Sequence, residues 1–197
     1  MKYPKLIFSF LLFSLLLMYG KTYSQTTIDG YYVSQKDDTI ATKIRIRKGA
    51  FGQLTNDFLK ELEIIDSQKG ELKFTPSDIK SFGFSYEKNR RVYVSKPTKD
   101  GSHKFLFPAF VGHKSSLYLH GTQTTGSGLP TKQIFYTFEK ADGSYLFLTN
   151  MLNKKFRIAV KEFYKDSPQV QQVIDTKLNY WLDLDKDLIQ ILDAANK

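Results

Sequence analysis

Residues 71–86, ELKFTPSDIKSFGFSY, decide how this chain folds. Leu72 and Phe74 alternate with Glu71, Lys73 and Thr75, as in a half-buried strand. Thr75-Pro76-Ser77-Asp78 ends that strand, because proline lacks a ladder N–H and holds φ near about −65°. After one helical or tight turn, Phe82, Phe84 and Tyr86 alternate with Gly83 and Ser85. Polar-faced hairpins precede this stretch; more apolar strands and then helices follow it. None of it matches a catalytic or cofactor motif.

Upstream, Ile28 to Gln35 reads as a strand ending in the turn Lys36-Asp37-Asp38, and Thr39 to Arg47 reads as its partner. Ile40, Ile44 and Ile46 fall on one face of that partner, and Lys43, Arg45 and Arg47 on the other, by the period of two. A basic row of this kind suits an anionic surface such as lipopolysaccharide or an acidic glycan. It equally suits a solvated, charged strand that resists edge-to-edge pairing. Gly49 to Lys60 reads as a loop, in which residues 56–60 could begin a short helix. Leu62 and Ile64 lead through Ser67-Gln68-Lys69-Gly70 into Leu72 and Phe74, another hairpin.

The first 24 residues read as an export signal. Lys2 and Lys5 make a basic start, Leu6 to Met18 is an apolar run, and Thr22 and Ser24 sit at the −3 and −1 positions for cleavage before Gln25. A membrane anchor is the competing reading, but the run is shorter than the roughly 20 residues that span a bilayer. Removing residues 1–24 takes away Lys2, Lys5 and Lys21 and no acid, lowering the net charge from +9 to +6. The chain has no cysteine, which excludes disulfides, thiolate metal sites and a lipid-modified N-terminal cysteine. Its 15% aromatic content argues against disorder.

Gly30-Tyr31-Tyr32-Val33, Asp38-Thr39-Ile40 and the run from Phe74 through Thr75-Pro76-Ser77-Asp78-Ile79 to Phe82 together resemble a broad group of exported Bacteroidota proteins of unknown function. In that group the opening is G-x-x-V followed by G-D-T-I-x-G, and a strand-turn motif F-T-P-x-D-I follows. Asp37 and Thr42 stand where the group has its two turn glycines. The resemblance implies export and a β-rich fold, and it supplies no activity and no site.

Downstream, Arg91 to Ser95, His103 to Phe110, Leu117 to His120, Gln133 to Glu139 and Tyr145 to Thr149 read as strands. Phe105-Leu106-Phe107, Leu117-Tyr118-Leu119, Ile134-Phe135-Tyr136 and Leu146-Phe147-Leu148 are apolar on both faces, the pattern of strands covered from both sides. The tail offers a cover. Phe156, Ala159, Val160 and Phe163 form one helical stripe, and Ser167-Pro168 opens a helix with Val170, Val173 and Ile174 inward. Trp181 and Leu182 lead to a third helix, capped by Asp183 or Asp185, with Leu184, Leu188, Ile191, Leu192 and Ala195 along one side.

Several constellations resemble chemistry. Asp183, Asp185 and Asp187 have the spacing of the first calcium-loop ligands, but Leu188 and Ala194 stand where that loop needs glycine and a bidentate acid. Gly121 to Gly126 has the outer spacing of a phosphate loop and lacks its lysine, so residues 121–130 read as a flexible loop. His103, His113 and His120 could make a zinc site if folded together, or serve as surface histidines. Ser77-x-x-Lys80 matches one element of a penicillin-binding serine site, without the elements that should follow.

The expected architecture is α+β. It comprises a mostly antiparallel, twisted or rolled sheet of about seven to nine strands over residues 25–152, with about three short helices over 153–197 packed on residues 103–149, in one domain. The expected role is a periplasmic, cell-surface or extracellular binding module without a cofactor. Its ligand would be an anionic envelope polymer recognised by Lys43, Arg45 and Arg47, or its partner another envelope protein; nucleic acid and a membrane span are not expected. A small hydrolase with a site assembled from scattered residues and a structural subunit of an envelope complex are the competing readings.

Overall fold

A computed structural model describes residues 24–49, 54, 56–124, 131–149, 154–178 and 184–197. The signal-peptide reading of residues 1–23 lies outside them, as do Trp181, Leu182 and Asp183 of the third-helix reading. The strands are β1 (Ser24–Ser34), β2 (Thr39–Lys48), β3 (Leu62–Asp66), β4 (Gly70–Phe74), β5 (Ile79–Tyr86), β6 (Asn89–Pro97), β7 (His103–Phe110), β8 (Ser115–Thr124), β9 (Thr131–Lys140) and β10 (Tyr145–Thr149). The helices are α1 (Lys154–Phe163), α2 (Pro168–Lys177) and α3 (Leu184–Ala195). Ten strands exceed the expected seven to nine. The short β3 and β4 form the expected hairpin, from Leu62 opposite Phe74 to Asp66 opposite Gly70. Gly121 to Thr124 belongs to β8 rather than to a loop, because pairing with β9 runs on from Gly121–Ile134 to Thr124–Thr131.

All paired strands are antiparallel, in the order β10-β9-β8-β7-β6-β5-β1-β2-β3-β4. This order makes the sheet curl. β4 and β5 are consecutive in sequence yet four positions apart, about 19 Å on a flat sheet at roughly 4.8 Å per strand. Residues 75–78 close a tight turn, with the Asp78 N–H donating to the Thr75 carbonyl at 3.0 Å. Such a turn keeps its ends within about 7 Å. With one Cα step of about 3.8 Å on either side, the connection spans at most about 15 Å. The strands must therefore roll toward each other. Tyr32 and Phe74 meet at 4.9 Å between ring centroids, and the Phe105 N–H donates to the Leu59 carbonyl at 3.0 Å, drawing the loop before β3 onto β7.

Inside this roll lies the first core: Ile44, Ile46, Leu62, Ile64, Phe82, Phe84 and Phe105, with Phe58 packed on the rings of Phe82, Phe84 and Tyr93. Gly30 is required where β1 passes β5, since a Cβ there would stand 2.7 Å from the Gly83 carbonyl oxygen. Asp37 has φ 71°, in the left-handed region that favours glycine and that aspartate tolerates.

The second core lies under the tail. Leu117, Tyr136 and Phe138 of β8 and β9 pack against Phe156, Val160, Val170, Ile174, Leu188 and Leu192 from the three helices. Polar contacts fix the docking. Tyr164 and Ser115 share a buried hydrogen bond of 2.6 Å, and the Asn196 side chain accepts from the Lys114 and Ser115 N–H groups. Asp175 of α2 bridges Arg157 and Lys161 of α1.

β7 joins the two halves. His103 to Leu106 pair with β6, whereas Phe107 to Phe110 pair with β8, and the register shifts between Pro108 and Phe110. A strand that changes partners at a bulge makes a corner between two sheet segments.

Two outcomes follow from this packing. A chain ending before residue 153 would uncover Leu117, Tyr136 and Phe138, and is expected to aggregate or become protease-sensitive; a soluble truncation with the parental Tm would mean the helices are not part of the core. Glu87 and Lys88 both have positive φ in the two-residue β5–β6 turn, a conformation suited to Asn-Gly. Replacing the pair by Asn-Gly should add about 1 kcal/mol, raising Tm by about 2–4 °C in a thermal melt.

Candidate functional site

Lys43, Arg45 and Arg47 stand on the outer face of β2, opposite the buried Ile44 and Ile46. Each has an acidic partner on another strand of the same sheet. Lys43 lies across from Asp29 of β1 and bonds it at 2.5 Å, Arg45 bonds Glu71 of β4, and Arg47 bonds Glu63 of β3. Lys73 joins Glu63 at 2.9 Å. Burial alone would push the Glu63 carboxyl up, but Lys73 and Arg47 outweigh it and hold it below the usual range. The row is a cross-strand ladder of compensated charge. Elsewhere in the sheet, Lys88 and Arg90 are exposed at the β5–β6 turn, and Lys96 faces Glu139.

The other constellations are taken up by the fold. Lys80 bonds Asp37 at 2.6 Å and the Ser77 carbonyl accepts from the Gln35 side chain at 3.0 Å, so both tie the rolled edge to the β1–β2 turn. Asp185 and Asp187 occupy the first turn of α3, where carboxylates are favoured by the helix dipole, and Asp185 accepts from the Tyr136 hydroxyl at 3.3 Å. His103 and His113 are exposed and His120 is buried. Among the described residues no group of three or more His, Asp or Glu is arranged to hold a metal ion.

The corner at β7 creates a different site. Lys96 near the end of β6 reaches Glu139 of β9 at 2.6 and 2.8 Å and lies 4.8 Å from the centre of the Tyr118 ring. Tyr118 and Tyr145 donate to the same carboxylate at 2.8 and 2.5 Å. Burial works to raise the Glu139 pKa, but these donors prevail and hold it below the ordinary carboxylate range. Burial pushes the Tyr145 hydroxyl up to about 12, and Glu139 adds to the shift. Leu106, buried beside this cluster's strands, shows that the outer face of the second segment is also partly closed.

Next to this closure a cleft of about 810 Å³ remains. Thr98, Lys99, Asp100 and Lys104 line it from the β6–β7 hairpin. His120, Phe135 and Thr137 line it from β8 and β9, Phe147 and Thr149 from β10, and Lys155 and Phe156 from α1. His120 stacks on Phe135 at 4.6 Å between ring centres, nearly parallel. Burial, with Lys104 nearby, lowers the His120 pKa, so the ring is neutral at pH 7. Its Nδ1 is buried without a hydrogen-bond partner. An orphaned N–H is rarer in interiors than an unused acceptor, which assigns the proton to Nε2. Asp100 is occupied by its own turn, accepting from Thr98 and from the Ser102 N–H and hydroxyl. The Lys99 and Lys104 side chains make no hydrogen bond or ion pair with a described residue, although the Lys104 charge adds to the Thr98 and Ser102 hydrogen bonds that hold the Asp100 carboxyl below its ordinary range.

The basic-row reading did not single out Lys99, Lys104, Phe135 or Phe147. The available signal was the doubly apolar strands, since the helices cover only one of their faces. No family model, curated protein or solved structure matches this chain.

The pH response of folding follows from two groups. His120 is depressed in the fold from an ordinary value of 6.5, so its contribution is present above that pH and is lost as pH falls and the unfolded chain takes up the proton first. Glu139 is depressed from 4.5, so its contribution is present above that value and is lost as pH falls through the lower folded value. Tm should therefore drop in two stages between pH 7 and pH 3. His120→Phe should flatten the first stage. Glu139→Gln should shrink the second and cost about 2 kcal/mol at pH 7, because it leaves the Lys96 charge half-buried.

Proposed function

We propose that this protein is an exported, non-enzymatic binding module, envelope-associated or secreted, that takes an anionic envelope component in the β6–β10 cleft. The observation that carries the reading is the contrast between two sets of cations. Lys43, Arg45 and Arg47 each already hold a carboxylate in an ion pair, whereas Lys99 and Lys104 border an open, aromatic-lined cleft and, among the described residues, form no ion pair, although Asp100 lies in the same lining. An incoming anion at the ladder must displace an existing partner; at the cleft it meets donors that are not yet engaged.

Binding of lipopolysaccharide, followed at two salt concentrations, tests this. Affinity should fall with added salt, Lys99→Gln with Lys104→Gln should weaken it about tenfold, and the Gln variant of Lys43, Arg45 and Arg47 should stay within about twofold of the parent. The recovered lipopolysaccharide should be chemically unchanged. Loss of binding in the row variant alone, or cleavage of the ligand, would overturn the reading.

A further inference from the structure

The cleft is chemically two-sided. Lys99, Asp100 and Lys104 enter from the hairpin, while the half-buried Phe135 and Phe147 offer ring faces from β9 and β10, and the buried Phe156 of α1 backs the cleft. These rings are half-buried or buried members of strands and a helix, held by pairing and packing rather than on loose loops. A polymer recognised only by charge would need a long basic track. The open volume of about 810 Å³ falls instead in the range of about 300–1,000 Å³ that encloses one small molecule. A purely polar anion would leave the ring faces wet, and a purely apolar one would leave two ammonium groups with only Asp100 among the described lining residues as counter-charge.

Resting on the reading above, we infer that the ligand is a small anionic amphiphile, with a carboxylate or phosphate head bound by Lys99 and Lys104 and an apolar body lying over Phe135 and Phe147. His120 and its stacked Phe135 extend this floor, and the protonated Nε2 assigned to His120 is a neutral donor that requires no second negative charge. Carboxylate and phosphate heads share this chemistry. Two features follow from it. Affinity depends on both head and tail, and the two dependences respond to different residues.

Calorimetry with monomeric laurate, dodecyl phosphate and dodecanol, together with octanoate, acetate and orthophosphate, separates these dependences. Laurate or dodecyl phosphate should bind, the tighter of the two identifying the head. Each methylene between octanoate and laurate should tighten binding about fourfold, in line with about 0.8 kcal/mol per buried methylene. Lys99→Gln with Lys104→Gln should weaken the charged amphiphiles about tenfold and dodecanol little. Lys36→Gln with Lys69→Gln removes the same charge at two exposed turns and should change neither. Phe147→Ala, verified as folded by an unchanged Tm, should reduce the gain per methylene. If acetate or orthophosphate binds as well as the tailed anions, the amphiphile inference falls while anion capture in the cleft stands. Dodecanol binding as tightly as laurate would likewise reject the charged head. Should no amphiphile bind while lipopolysaccharide binds through Lys43, Arg45 and Arg47, both readings fall.

Discussion

The structure depends on the short connection between β4 and β5. Four residues carry the chain between strands that are four places apart, and the turn within them cannot stretch. Pairing energy favours extending the ladder, but the connection permits that only if the sheet rolls. Rolling turns the alternating residues Ile44, Ile46, Phe82 and Phe84 inward, where they exclude water with Phe58 and Phe105. Gly30 is needed for the same reason, because the inner side of a tight roll has no room for a Cβ between β1 and β5. Asp78 stabilises the turn itself, accepting from both the N–H and the hydroxyl of Thr75 at 2.7 Å.

The roll cannot continue through all ten strands, and β7 ends it. Its first half completes the first segment and its second half begins the next. This leaves the inner face of β8–β10 open, and three amphipathic helices close it. The outer face of the same strands is treated differently. The β6–β7 hairpin is tied to it through one carboxylate, Glu139, which collects a lysine and two tyrosines. Such a cluster is costly to desolvate, and it is tolerated because every strong acceptor position is used. Beyond its reach the two surfaces separate into the cleft.

Charge on this molecule is organised by neighbours rather than by rows. A sheet places residues of adjacent strands side by side, so a basic strand flanked by Asp29, Glu63 and Glu71 presents ion pairs to solvent, not a cationic surface. The converse holds at the cleft. Asp100 is the nearest acid in sequence to Lys99, but its Oδ1 is engaged by its own turn through Thr98 and Ser102, and no ion pair forms between it and the lysine beside it.

Much of the local structure was legible in the sequence. Period-two alternation located β2, β4 and β5, the apolar stripe of Phe156 and Val160 identified α1, and Ser167-Pro168 marked the start of α2, because each of these signals is carried by residues close in the chain. The alternation also assigned Lys43, Arg45 and Arg47 to one face. It could not tell that three acids from three other strands meet them, since register between distant strands is a long-range property. Nor could it tell that Gly121 to Thr124 continues a strand, where composition suggests a loop and ladder pairing decides otherwise. The cleft was hidden more completely. Doubly apolar strands announced that two covers were needed, and the sequence supplied one of them in its helices. That the second cover is a hairpin, and that it stops short of Phe135 and Phe147, follows from the corner at β7, which only the assembled sheet determines.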